Sequence, residues 1–177
     1  MLRSLYVVLA LNTVLAYVCI AAGFLEPSAV LSVPMLREVY YQALETVRSI
    51  PPGPPGFAKY VYLQLQSVGG SVVLAAVTVF SSSLDIAVDS LLRGVYMAQN
   101  AALDPRGLVS TCLDLTVGVF SNVLALSAAS AIGIELWRAL LLRSRISRDS
   151  MLFLIELVAA GMAIQCLYLP AISAFTP

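Results

Sequence analysis

The residues in this chain that could do chemistry are few, and their spacing limits what they could do. Asp85, Asp89 and Arg93 stand four apart, which stacks them along one face of a helix and lets Asp89 pair with Arg93 directly. Asp114 and Glu156 are single carboxylates in apolar stretches, without an opposite charge in their own helices. Two carboxylates and an arginine on adjacent helices would make a proton relay or ion path. The plainer expectation is an Asp89–Arg93 pair that neutralises itself, with Asp85 wet near the cytoplasmic interface. Glu156 is expected at that interface too, beside an arginine-rich loop.

Other chemistry is hard to place. The chain has no histidine, which removes His-ligated metals and every Ser-His or Cys-His nucleophile pair. Cys19, Cys112 and Cys166 fall in three different segments with no C-x-x-C spacing and read as small apolar fillers. There is no Gly-rich phosphate loop, nucleophile elbow or internal repeat. No catalytic residue, metal site or cofactor is expected.

The elements that must carry these residues follow from composition. Of 177 residues, 60% are hydrophobic and 11% charged, and the mean hydropathy is +0.92. Soluble domains run about 45–50% apolar and about 25% charged, and a domain this small could not hide the excess from water. Lys+Arg 10 against Asp+Glu 10 leaves no basic field to hold nucleic acid. The reading is a single all-α, polytopic membrane domain over 1–177 with the lipid bilayer as its first partner.

A span needs about 20 mainly apolar residues. Leu5 to Leu25 meets this with only Asn12 and Thr13 strongly polar, and is read as an anchored span because it is long for a signal peptide core. Further spans are expected at 57–82, 84–103, 108–134 and 151–169. The third is the most charged, with Asp85, Asp89 and Arg93, and Trp137 suits an interface just past the fourth. Between spans one and two, Leu36, Val39, Tyr40, Ala43, Leu44, Val47 and Ile50 recur at three- and four-residue steps among Arg37, Glu38, Gln42, Glu45 and Arg48. That predicts an amphipathic interfacial helix over about 34–50. Pro51-Pro52-Gly53-Pro54-Pro55-Gly56 then predicts a stiff, non-helical connector.

Charge placement orients the bundle. Arg138, Arg143, Arg145 and Arg148 lie between spans four and five, and short basic loops stay in the cytoplasm, as Arg3 should. Both ends share a side only if an even number of spans separates them, so the third segment is expected to cross. The result is five spans in the cell membrane, the N-terminus cytoplasmic and the C-terminus outside. Ser121, Ala125, Ala129 and Gly133 repeat every four residues, with Gly118 one turn earlier. Small side chains at this spacing let helices approach closely in lipid. Internal packing is the expected use, ahead of an oligomer seam, with Gly69-Gly70 as the partner and Asn122 and Ser127 adding interhelical hydrogen bonds.

Several features together resemble the stage II sporulation protein M family: an N-terminal span, a long amphipathic segment, Phe57 opening span two, Arg93-Gly94 late in span three, Pro105-Arg106-Gly107-Leu108 opening span four, and the ending Ala171-Ile172-Ser173-Ala174-Phe175-Thr176-Pro177. Arg93, Arg106, Ser110 and Ser173 stand where that family carries Asn, His, Glu and Glu. The resemblance implies a small polytopic protein serving as a non-catalytic membrane scaffold. Together with the missing catalytic constellation, it gives the expected function: a non-enzymatic scaffold or subunit of a larger membrane complex, with membrane-protein partners or a homo-oligomer. The alternative is a small transporter or channel whose polar path follows Asp85, Asp89, Arg93, Asp114 and Glu156.

Overall fold

A computed structural model describes residues 2–51, 53–100 and 114–168. All the regular structure in that part is helical, and it contains no strand. The helices are α1 (Leu2–Leu25), α2 (Pro27–Ser32), α3 (Pro34–Arg48), α4 (Pro54–Thr78), α5 (Ser81–Asn100), α6 (Val119–Leu142) and α7 (Arg148–Ala163). A π-helical turn, Asp114–Gly118, leads into α6, and another, Ile164–Tyr168, continues α7.

Four helices are long and apolar enough to cross a membrane: Arg3–Leu25, Pro54–Thr78, Leu115–Leu142 and Arg148–Leu167. This is the composition of a multi-pass membrane protein. α5 has a span's length, but Asp85, Asp89 and Arg93 keep its hydropathy below the others.

α6 is the axis. Of its most apolar stretch 67% is buried inside the protein, against 11% for α4 and 22% for α1 and α7. The reason is side-chain size: Ser121, Ala125, Ala128, Ala129, Ala131 and Gly133 cover so little of the α6 backbone that α1, α4, α5 and α7 all pack on it. Ala16 and Ile20 of α1, Ala75 of α4, Ile86 of α5 and Val119, Val123, Leu126 and Ala129 of α6 form the main core. Leu5, Ala128, Ala131 and Leu154 form a second cluster where α1 and α7 meet α6.

Directions follow from the paired residues. Asn12 meets Ser83, and Gly23 lies against Leu91 and Val95, so α1 and α5 run parallel. Ser4 meets Glu135 and Asn12 meets Ser127, so α6 runs back along α1 and places the 143–147 connection at the end of the bundle where α1 begins. Gly161 lies against Ser121 and Ala125, which makes α6 and α7 an antiparallel hairpin. α4 and α5 also turn back on each other, through Val79 and Phe80.

The hairpin turn is costly by itself. Val79 has φ 57°, a left-handed value that a β-branched residue rarely adopts, and such residues cost about 1–3 kcal/mol. The surroundings hold it there: the Val79 carbonyl accepts from the hydroxyls of Ser82 at 2.9 Å and Ser130 at 3.1 Å, and the Val77 carbonyl accepts from the Trp137 indole at 3.0 Å. Side chains of α5 and α6 thus supply donors to the carbonyls at the end of α4, as a helix end in an apolar medium requires.

Several boundaries differ from the sequence reading. The proline-rich segment is non-helical only as far as Gly53 (φ 84°), and α4 starts on Pro54-Pro55. A first helical turn has no use for its N–H groups, and proline's fixed φ suits it, so these prolines open the helix. α1 ends at Leu25, and Pro27 opens the short α2. Ser81 and Ser82, the last residues of the expected 57–82 span, instead begin α5. α6 continues past 134 to Leu142, where Arg143 at φ 50° stops it, so Trp137 and Arg138 are helical.

Tyr40 anchors α3 to α5. Tyr40 is buried and its hydroxyl donates to Gln99 Oε1 at 2.7 Å, while Arg37, Glu38, Gln42, Glu45 and Arg48 are exposed. Burial raises the Tyr40 pKa, reinforced by Tyr96 and Tyr41 and opposed by Arg48.

Candidate functional site

Many polar groups of the bundle form a ladder along α6, reached from neighbouring helices at successive levels, while buried Ser81 Oγ has no partner among the described residues. At one end, Gln165 of the turn after α7 donates to the Gly118 carbonyl and, at 2.8 Å, to Ser121 Oγ. Next, Arg93 Nε donates to Asp89 Oδ2 at 2.9 Å, and Asn122 Nδ2 donates to the same oxygen at 3.1 Å. Farther along, Ser83 donates to Asn12 Oδ1 at 2.8 Å and Asn12 Nδ2 donates to Ser127 Oγ at 3.0 Å. Then Ser130 Oγ donates to Ser82 Oγ at 2.7 Å. At the last level Arg138 bonds both Glu135 Oε1 at 3.0 Å and Ser4 Oγ at 3.1 Å.

Glycines bring neighbouring helices close together along the ladder. A Cβ on Gly94 would strike the Ile20 carbonyl, and one on Gly23 the Leu91 carbonyl, so α1 and α5 touch backbone to backbone beside Asp89 and Arg93. A Cβ on Gly133 would strike the Ala76 carbonyl of α4. On Gly161 it would come within 2.8 Å of Ala125 Cβ and the Ser121 carbonyl. Short polar side chains such as Ser and Asn can span the gap only because the backbones lie so near.

The structure brings together only part of the anticipated polar set. Asp89 and Arg93 pair with each other, with the Asp89 side chain 36% and the Arg93 side chain 19% exposed, and Asn122 joins them from α6. Asp85 is half-buried and makes no hydrogen bond or ion pair among the described residues. Glu156 is exposed on α7, away from the ladder, and is not paired with the arginines of the 143–148 segment. The Asp114 side chain and Cys112 lie outside the described residues, as do the 105–108 and 171–177 motifs. Among the described residues no group of three or more His, Cys, Asp or Glu is placed to hold a metal.

Gly118, Ser121, Ala125, Ala129 and Gly133 are all buried within the chain itself. Their partners are Ala76 of α4 and Gly161 of α7, whereas Gly69 meets only the Met162 methyl at 3.9 Å and Gly70 meets nothing within 4 Å. Asn12, Ser82, Ser83, Ser130 and Gln165 were not anticipated as ladder members. A signal existed for Asn12: a lone amide in an otherwise apolar span needs a partner. None existed for the serines, which are common in spans and bond their own helix as readily as another.

Two open clefts mark the surface. One, of about 380 Å³ between α3 and α4, is lined by uncharged groups such as Thr46, Tyr60, Gln64 and Gln66. The other, of about 490 Å³, lies beside the Asn12–Ser83 bond and is otherwise apolar, with Leu11, Val14 and Val18. Comparison with known proteins returns no matching family model, no matching curated protein and no matching solved structure.

Proposed function

We propose that this protein is a multi-pass membrane subunit with a structural role, holding or assembling other membrane proteins without catalysis of its own. The observation that carries the reading is the closure of the polar ladder. Asn12, Ser83 and Ser127 satisfy one another, as do Ser82 with Ser130 and Asp89 with Arg93 and Asn122. Groups engaged this way fix which helix faces meet and at what register. The resemblance to the sporulation protein M family agrees with a scaffold. Purification in mild detergent should return the chain with a membrane-protein partner or as an oligomer; a lone monomer would count against the proposal.

In this reading the protein lies in the cell membrane with five crossings, α5 being the third. α5 is 20 residues long, about 30 Å at 1.5 Å per residue, and runs beside α1 with Asp89 and Arg93 paired to each other and Asp89 bonded to Asn122 of α6. Four crossings before the 143–147 connection place that connection and Arg3 on the same, cytoplasmic side. α3 lies along the outer interface, tied to α5 by Tyr40. Cysteine labelling of the 143–147 segment from outside intact cells would refute this orientation.

A second reading, a small transporter or channel, draws on the ladder's reach from Gln165 to Arg138. It requires ion, proton or solute flux in liposomes that is lost in Asp89→Asn or Arg93→Gln.

A further inference from the structure

α7 buries Leu154 and Gly161 against α6, and Gln165 continues that face. At 3.6 residues per turn, Glu156 falls on the opposite side of the helix. It is exposed, with exposed Leu152 one turn before it and exposed Ala159, Ala160 and Ala163 in the two turns after it. It lies eight residues beyond Arg148, where α7 begins, about 12 Å along the axis. A glutamate side chain is too short to reach the loop from there. Glu156 has no hydrogen bond or ion pair among the described residues. An ionisable group within a span ordinarily faces the bundle interior or a partner, and this one faces away from its own bundle.

Among the described residues, a second copy of the chain does not offer the complement. Arg3, Arg37, Arg48, Lys59, Arg138, Arg143, Arg145 and Arg148 are exposed, but they lie toward helix ends or in connections, and Arg93 is engaged with Asp89. At the level of Glu156 another copy would present the same carboxylate. The three alanines leave the α7 backbone open to close approach, as helix association in lipid favours. We propose that Glu156, Ala159, Ala160 and Ala163 form the docking seam for a transmembrane helix of a different protein, one with a lysine or arginine at matching depth. This rests on the subunit reading and names the surface and the partner's chemistry.

The test places a photo-crosslinking residue at Ala160, and as a control at exposed Leu74 of α4, in the full chain in its own membranes. Ala160 should capture one heterologous membrane protein whose crosslinked helix contains a lysine or arginine. Glu156→Gln should cut that yield at least tenfold while leaving helix content and thermal unfolding unchanged. Glu156→Lys should abolish capture, and exchanging the partner's basic residue for glutamate should restore it. The inference is overturned by an adduct between two copies of this chain, by capture insensitive to residue 156, by a captured helix without a basic residue, or by no capture at Ala160. If Leu74 captures a partner in any of those cases, the subunit reading survives; if neither position captures one and native purification yields a monomer, both fail.

Discussion

The contact between α1 and α5 gives the sharpest quantitative prediction. Gly94 and Gly23 face each other's helices, and a methyl on either would run into a main-chain carbonyl of the opposite helix, Ile20 or Leu91. A carbonyl within a helix cannot rotate away, so the helices must separate. A gap of roughly 1 Å forfeits a quarter to a half of each dispersion contact along the seam. Overpacking of this kind costs about 1–3 kcal/mol, and the rigid obstacle places Gly94→Ala near the top, about 3 kcal/mol. Gly23→Ala should cost about the same. One separation accommodates both methyls, so the double variant should cost about 3–4 kcal/mol, well short of the roughly 6 expected for independent sites. Gly70→Ala, facing open space within 4 Å, should be neutral or stabilising by up to about 1 kcal/mol. The assay is unfolding of the purified protein in mixed micelles by SDS titration, followed by circular dichroism. If Gly94→Ala proved as mild as Gly70→Ala, or if the two seam variants added fully, the argument from backbone contact would be wrong.

The ladder and the α3 anchor give three more. Ser130→Ala removes the one hydroxyl donor shared between Ser82 Oγ and the strained Val79 carbonyl, and should cost about 0.6–1.7 kcal/mol in the same titration; no change would mean that the turn is held by other groups. Arg93→Met leaves Asp89 Oδ2 with Asn122 alone and should cost about 1–3 kcal/mol, whereas Asp85→Asn should stay within about 0.5 kcal/mol of wild type. Because the folded Tyr40 pKa is raised, its contribution to α3 docking is fully present below its ordinary value of 10.0 and is lost as pH rises through the raised value. Tryptic cleavage at Arg48 should therefore accelerate above pH 10, and Tyr40→Phe should remove that pH dependence.

Much of the architecture was legible in the chain because it follows from local pattern. Apolar run length marks five expected spans, of which four are helices long and apolar enough to cross, the three- and four-residue periodicity marks α3, and the four-residue repeat of small side chains marks the seam of α6. The i, i+4 spacing of Asp89 and Arg93 was enough to anticipate their ion pair. Helix ends are less legible: Pro54-Pro55 reads as a break although proline also starts helices, and nothing local announces that α6 runs on to Leu142.

Spacing within one helix says which residues share a face but not what that face meets. Only tertiary structure decided that Gly133 would lie on Ala76, that Gly161 would lie on Ser121, and that Gly69-Gly70 would stay clear of α6. The same holds for the polar groups. Asn12 and Ser127 are separated by more than a hundred residues, and they meet because α1 and α6 are antiparallel and in register at small side chains. Glu156 shows the limit most clearly: the chain placed a carboxylate in an apolar helix, and the packing of Leu154 and Gly161 on α6 turned it outward. Sequence thus determined the helices and the faces they could offer. Which faces meet depended on how closely several backbones could approach at once, a property of the assembled bundle that no single helix contains.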